Sequence, residues 1–326
     1  MPDPGPNANR KVAIIGGGTI GVGWAIVFAG SGFDVSIFEP DQNRRSRLIE
    51  EAKQRLEDMN RFGLIDETVP GILRRINPTT GLQAAVVGTV HVQECVPESA
   101  DLKRGIFAEV LRVAGPETTV GSSSSAIPVS AVAQDLVGRG RCLVAHPGNP
   151  PYLLPIVEVV PASFTEAETV NSVMQLMSNA GMLPVKVNFE IEGFVFNRLQ
   201  GALLREAYCL VRDGVISPAD VDLVVTNGLG RRWSIIGPFA TAELNTRGGI
   251  RAHAERLGPA YARMGAERGQ DDPWHPELVD QVAADLETRY PSSDWEAHVQ
   301  QRDLELMKLE ANRRRASHQA TSSQPT

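Results

Sequence analysis

The chain has 326 residues, 42% of them hydrophobic, enough for about two domains of ~150 residues each. Its 32 Lys and Arg against 39 Asp and Glu give a net charge of −7 with no basic stripe, which argues against nucleic acid or an anionic membrane as a partner; a small anionic ligand would need a local group of cations. Cys95, Cys142 and Cys209 lie far apart in apolar runs, with neither metal-ligand spacing nor an even disulfide count. No metal site is expected. Met1 to Asn9 is a polar, proline-rich tail without an apolar leader, and no run approaches the ~20 apolar residues that span a bilayer, so the chain reads as cytoplasmic.

Residues 11–15, Lys-Val-Ala-Ile-Ile, read as a buried strand, followed by Gly16-Gly17-Gly18-Thr19-Ile20-Gly21 and an apolar helical run from Val22 to Ala29. A glycine-rich turn between strand and helix is a dinucleotide fingerprint. Gly16 permits the tight turn, Gly18 a close approach of backbone to a pyrophosphate, and Gly21 close packing of the helix. A second strand, Phe33 to Phe38, ends at Glu39, where a carboxylate accepts hydrogen bonds from an adenosine ribose and repels a 2′-phosphate, favouring NAD over NADP. Arg44 and Arg45 follow closely and leave the phosphorylated cofactor open.

A charged helix over 43–62 leads to a short strand near Ile76, a small helix near Leu82 and the strand Val90 to Glu94. A helix from Leu102 to Val113 and the strand Thr118 to Val120 come next, then the cluster Gly121-Ser122-Ser123-Ser124-Ser125. Alternating strands and helices predict a Rossmann-type, doubly wound, mainly parallel sheet with ligands at the carboxyl ends of its strands. One serine hydroxyl is placed to bind a substrate oxygen there.

The apolar run Cys142 to Ala145 delivers His146 to a turn stiffened by Pro147, Pro150, Pro151 and Pro155, and the next apolar run, Ile156 to Val160, carries Glu158 inside it. A carboxylate among branched aliphatics needs a partner, and His146 is the nearest candidate. Such a pair makes a general base, the carboxylate fixing one ring nitrogen and leaving the other to take a proton. The plainer alternative has His146 bonded to backbone and Glu158 facing solvent from an edge strand.

After the strand Leu183 to Val187 the chain turns helical. Gly193 opens a long helix with an apolar stripe of Phe196, Leu199, Leu203, Ala207 and Leu210, ended by Gly214, with Asn197 off the stripe. Ser217-Pro218-Ala219-Asp220 is a capping box that starts the next helix, and Asn227-Gly228-Leu229-Gly230 is expected to end it. Arg231, Arg232 and Trp233 precede the apolar corner Ile236 to Phe239. Further helices are expected over 250–264, 275–286 and 295–312. The nucleotide-binding domain is thus placed at 10–190 and an all-helical domain at 191–312, between disordered tails at 1–9 and 313–326.

From Lys11 to about Arg315 the chain resembles the 3-hydroxyacyl-CoA dehydrogenase superfamily, within it the branch of lambda-crystallin and L-gulonate 3-dehydrogenase. The resemblance rests on GGGTIG with Glu39, ECVPESADLK at 94–103, the serine cluster, HPGNPPYLLPIVEVVP at 146–161, EIEGFVFNRLQ at 190–200, SPADVDLVVTNGLGRRWSIIGP at 217–238 and DWEAHVQQRDLELMKL at 294–309. It implies a catalytic His146 oriented by Glu158, a serine (Ser124 or Ser125) and Asn197 at the reacting oxygen, and Glu98 and Lys103 near the nicotinamide ribose. It also implies a homodimer built through the helical domain. The CoA-using branch usually carries HFFNP where this chain has HPGNPP. The expected activity is NAD-dependent oxidation of a 3-hydroxy acid, either a small free acid or an acyl-CoA; a crystallin-like role without turnover is the alternative. Asn149 and Arg232 are assigned to the substrate, Arg232 because a guanidinium matches a carboxylate with two parallel hydrogen bonds. A structural salt bridge from Arg232 to Glu243 is the competing expectation.

Overall fold

The computed structural model describes residues 11–268, 276–295, 297–298 and 301. The expected tails at 1–9 and 313–326, and the stretch 302–312 of the last expected helix, lie outside the described residues. Eight strands form one sheet: β1 (Lys11–Ile15), β2 (Asp34–Phe38), β3 (Ile76–Thr79), β4 (His91–Glu94), β5 (Thr119–Ser122), β6 (Cys142–Pro147), β7 (Ile156–Pro161) and β8 (Leu183–Lys186). Their order is β3-β2-β1-β4-β5-β6-β7-β8, with only the β6/β7 pair antiparallel. Because β1 pairs with β2 on one side and β4 on the other, the chain reverses direction across the sheet there, and a crevice opens at the carboxyl ends of β1 and β4.

Helices cover both faces: α1 (Thr19–Gly30), α2 (Gln42–Arg61), α3 (Val69–Leu73), α4 (Leu82–Val86), α5 (Ala100–Val113), α6 (Val129–Ala133) and α7 (Ala167–Asn179). Strand β1 is apolar throughout because it is buried on both sides. Val12 and Ile14 pack with Trp24 and Phe28 of α1, Leu48 of α2 and Val173 of α7, while Ala13 and Ile15 pack with Leu82, Phe107 and Val110 on the other face. Helix α1 is buried around most of its circumference. Helix α2 buries only Leu48, Ala52 and Leu56, spaced one turn apart, and is capped by Asp41, whose carboxylate accepts from Arg44 N at 2.6 Å. Strand β5 runs two residues further than expected, taking Gly121 and Ser122 into the sheet.

The chain's contacts divide it into two units, Met1–Leu204 and Arg205–Thr326. The division falls inside α8 (Phe196–Arg212), the start of which is bonded to Glu158 of β7 through the amides of Val195 and Phe196. The apolar stripe expected to bury α8 is largely exposed, Leu199 at 61% and Leu203 at 36%. Beyond it lie α9 (Pro218–Val224), α10 (Gly230–Trp233), α11 (Pro238–Asn245), α12 (Gly249–Glu267) and α13 (Pro276–Arg289). The capping box at α9 forms as expected: Ser217 Oγ accepts from Asp220 N at 3.1 Å and donates to the Asp220 carboxylate at 2.7 Å. Asn227 to Gly230 does not end that helix. One π-helical turn, Val225–Leu229, carries it into α10, and a Cβ on Gly230 would lie 3.0 Å from the Val225 carbonyl oxygen, so glycine accommodates the widened turn.

Candidate active site

The glycine turn is built as its sequence requires. Gly16 has φ of 104° and Gly21 has no room for a side chain, since a Cβ there would stand 2.0 Å from the Gly16 carbonyl oxygen. A Cβ on Gly18 would meet nothing within 4 Å, so this backbone faces open space at the start of α1, where no side chain caps the helix and no acid stands in the first turn. Free N–H groups at a helix start suit a pyrophosphate. Glu39 accepts from Gly17 N at 2.9 Å and from Asp41 N at 3.0 Å, which fixes its carboxylate at the end of β2. Arg44 is engaged with the Gly17 carbonyl and with Glu51, and Arg45 with the Glu39 carbonyl at 2.7 Å. These residues fit NAD. The two arginines that left NADP open are committed to the fold.

At the ends of β4 and β5 the four serines take four different partners. Ser122 donates to buried Glu94 at 2.6 Å. Ser123 accepts from Trp24 Nε1 at 3.1 Å and Gln93 Nε2 at 2.7 Å. Ser124, buried, donates to Glu98 and accepts from Ile127 N at 2.7 Å. Ser125 alone reaches the histidine, with Oγ 3.1 Å from His146 Nε2. Of the two candidate serines, then, Ser125 meets the imidazole and Ser124 anchors the loop, because successive residues of a bend point to different sides. Lys103 is enclosed as well: its ammonium sits 2.9 Å from Glu94 and 3.2 Å from Glu98, so toward a ribose this segment presents Glu98 rather than Lys103. Burial would raise the Glu98 carboxyl, but the Ser124 hydroxyl and the Lys103 ammonium outweigh it and hold it below the usual range. Burial also pushes the Cys95 and Cys142 thiols up to about 12, so both stay protonated.

The histidine is placed by the sheet itself. In the β6/β7 register His146 stands directly opposite Glu158, and Nδ1 lies 2.8 Å from Glu158 Oε2. The other carboxylate oxygen accepts from Val195 N at 2.8 Å and Phe196 N at 3.0 Å, at the entry to α8. Burial favours the neutral acid, yet His146 and these two amides together keep the Glu158 carboxyl below its ordinary value. The alternative of a solvent-facing Glu158 is excluded. A left-handed pair, Gly193 at φ 75° and Phe194 at φ 48°, turns the chain so that both amides aim at the carboxylate. Phe194 is fully buried and its ring centre lies 5.7 Å from that of His146. Sequence reasoning missed Phe194, whose only signal is its place between Gly193 and the helix.

His146 faces a cleft of about 470 Å³ whose walls include Ile20, Ser125, Asn149, Phe196, Asn197 and Gln200. Asn197 donates from Nδ2 to the Ser125 carbonyl at 2.9 Å. The structure thus brings together His146, Ser125, Asn197, Asn149 and Ile20, with Glu158 behind the imidazole. Thr19 begins α1 beside them. Arg232 lies in the second unit, where it lines a cavity with Trp233, Thr241 and Arg256. Gln200 and Ser123 join the cleft without having been singled out, since neither a helical glutamine nor one serine among four carries a distinguishing sequence signal.

Comparison with known proteins identifies the family of both parts of the chain. Residues 11–190 match the model of the 3-hydroxyacyl-CoA dehydrogenase NAD-binding domain and 193–293 that of its C-terminal domain. The chain is 39% identical to the lambda-crystallin homolog of Bos taurus over 81% of this chain and 83% of that protein. It is 34% identical to L-carnitine dehydrogenase of Oceanobacillus iheyensis over 93% and 95% of the two chains. Among solved structures it resembles 5-formyl-3-hydroxy-2-methylpyridine 4-carboxylic acid 5-dehydrogenase, an NAD-dependent enzyme, with TM-score 0.70, 27% identity and coverage of 91% of this chain and 99% of that one. With its nucleotide turn, its sheet and its helical second part all matched, the chain belongs to the 3-hydroxyacyl-CoA dehydrogenase family of NAD-dependent oxidoreductases that act on 3-hydroxy groups.

Proposed function

We propose that this protein oxidises the 3-hydroxyl of a small free hydroxy acid to the 3-keto acid, with His146 as general base. The observation that carries the proposal is the position of His146 Nε2, which faces the cleft while Nδ1 is held by Glu158. With Nδ1–H donating to the Glu158 carboxylate, the neutral ring keeps its lone pair on Nε2. That lone pair accepts from Ser125 Oγ, and a substrate hydroxyl would take up the same interaction. When bound at the glycine turn and Glu39, NAD supplies the acceptor for the hydride that leaves C3. The hydroxyl proton passes to Nε2, Glu158 stabilises the imidazolium, and Ser125 and Asn197 hold the oxygen as it becomes a carbonyl.

A free acid is favoured over a thioester by the HPGNPP turn and by a relative named for L-carnitine, while another relative, of 34% identity, is named 3-hydroxyacyl-CoA dehydrogenase. The exposed stripe on α8 supports a homodimer through the helical part, and the three unpaired cysteines suit a cytoplasmic setting. Steady-state turnover of L-gulonate, 3-hydroxybutyrate, carnitine and 3-hydroxybutyryl-CoA with NAD tests the reading. The largest kcat/KM is expected for a free acid; a clear preference for the thioester would replace it with the CoA-linked reaction. His146→Gln should lower kcat by ~10²–10⁴ and leave NADH affinity nearly unchanged.

A further inference from the structure

Two buried polar residues of β4, His91 and Gln93, take no part in the chemistry described so far. They share one face of the strand, and in the β4/β5 register they stand opposite Thr119 and Gly121. Gln93 Nε2 donates to Ser123 Oγ at 2.7 Å and to the Ala145 carbonyl at 3.1 Å. A carbonyl can only accept, so the amide nitrogen of Gln93 faces Ala145 and its oxygen faces His91 Nε2, at 3.0 Å. Burial holds the His91 imidazole neutral, with its pKa lowered to about 4. The one ring proton therefore sits on Nε2, and Nδ1 accepts from the Thr119 hydroxyl at 2.7 Å. Gly121 leaves room for the pair: a Cβ there would lie 2.8 Å from Gln93 Oε1 and 3.1 Å from His91 Cε1.

The direction set by these bonds ends at Ser123. Its oxygen accepts from Gln93 Nε2 and, at 3.1 Å, from Trp24 Nε1 of α1, which fills both lone pairs and leaves the hydroxyl able only to donate. Cys95 Sγ, 3.2 Å away, is a weak acceptor that an oxygen would displace. Ser123 lines the cleft of His146 together with Ile20 of α1, the helix that opens at the glycine turn. We propose that Ser123 donates to the carboxamide oxygen of the bound nicotinamide, and that His91 and Gln93 are positioning residues that hold its hydroxyl in the donating sense. The carboxamide is the polar group of the nicotinamide ring, and only its oxygen accepts. A hydroxyl free to accept would also receive a carboxamide turned through half a circle, with its NH₂ toward the serine. A hydroxyl that can only donate rejects that face, so the relay behind Ser123 selects one orientation of the group. The inference depends on NAD and not on which hydroxy acid is oxidised.

Calorimetric titration of the full chain with NADH and with its thionicotinamide analogue, in which sulfur replaces the carboxamide oxygen, tests the bond without turnover. The parent should bind the thio analogue about 3- to 10-fold more weakly than NADH, the value of one hydrogen bond, because sulfur accepts poorly. Ser123→Ala should lose about that much affinity for NADH and bind the two nucleotides alike, while its affinity for ADP-ribose, which lacks the ring, stays that of the parent. Gln93→Glu offers Ser123 an acceptor and turns its proton away from the cleft, so it should abolish the same preference although the hydroxyl remains. In protein labelled with ¹⁵N-histidine, the signal removed by His91→Asn should be that of a neutral ring protonated at Nε2, unchanged from about pH 6 to 8, where an ordinary histidine titrates. That measurement reads the relay even if Gln93→Glu fails to fold. Equal affinity of the parent for the two nucleotides, or a preference for NADH that survives in Ser123→Ala, would overturn the bond to the carboxamide. ADP-ribose weakened as much as NADH would make Ser123 part of the scaffold instead. A His91 ring protonated at Nδ1, or an unchanged preference in Gln93→Glu, would remove the relay.

Discussion

Replacing Glu158 with Gln keeps the shape of the side chain but exchanges one acceptor oxygen for a donor, and the bonds around it decide which function is lost. In the native chain one oxygen takes the His146 Nδ1 proton and the other takes the amides of Val195 and Phe196. If the amide oxygen of Gln turned to the histidine, its NH₂ would face those two buried N–H groups, at about 1–3 kcal/mol each. If the oxygen stays with the helix, a single charge-assisted bond to the ring is replaced by a mismatch that the ring relieves by moving its proton to Nε2. That costs about 1–2 kcal/mol, so the second arrangement wins. It also removes the lone pair that faces the cleft. Glu158→Gln should therefore lower kcat by ~10²–10⁴ while urea denaturation shows a loss of only about 1–2 kcal/mol. The double variant with His146→Gln should cost less than the two changes summed. The pH dependence has a defined sign. Because the folded state holds this carboxyl below its ordinary 4.5, its stabilisation is complete above that value and is lost as pH falls through the lower folded-state value, and the Gln variant should lack this slope. A variant with kcat within about threefold of the parent, or one unfolded at neutral pH, would refute the tautomer argument.

Three further outcomes follow from the geometry. Ser125→Ala should lower kcat by roughly 2–10-fold at unchanged stability, whereas Ser124→Ala, which strips a buried partner from Glu98 and Ile127, should cost about 1–3 kcal/mol in denaturation; the reverse pattern would mean the two serines are misassigned. Glu39→Ser should narrow the gap between NAD and NADP in kcat/KM, and equal use of both by the unmodified protein would remove Glu39 from that role. Gly18→Ala should keep its melting temperature and weaken NADH, measured by fluorescence titration, while Gly21→Ala, with its Cβ 2.0 Å from a carbonyl oxygen, should lose stability outright.

The sheet was legible because each central strand is a short apolar run bounded by turn residues, and Glu39 was legible from its spacing alone. The direction of β7 was available too, since the connection from Pro147 to Ile156 is too short for the ~12 or more residues of a parallel crossover. Ser124 and Ser125 were not separable. They are chemically identical neighbours, and only the path of the bend after β5 decides which hydroxyl meets the imidazole. The end of α9 was misjudged because glycine and asparagine usually stop a helix, but Gly230 here makes room for a π turn. The dyad could be proposed from two residues, yet the amides that hold Glu158 could not, since they are backbone groups placed by a left-handed Phe194 that no propensity favours.

That turn has a consequence for how the protein can be taken apart. The proposed base is finished by chain lying beyond the nucleotide-binding segment at 11–190: residues 193–196 deliver the two amides that complete Glu158. A fragment ending at 190 would hold the glycine turn, Glu39 and His146 and would still lack the donors that keep the carboxylate charged in its buried position. Nucleotide recognition is therefore a portable property of this sheet, and the proposed proton abstraction is not. A chimera that joins this sheet to a relative's helices should inherit catalysis only if its junction falls after Phe196, however well either half folds.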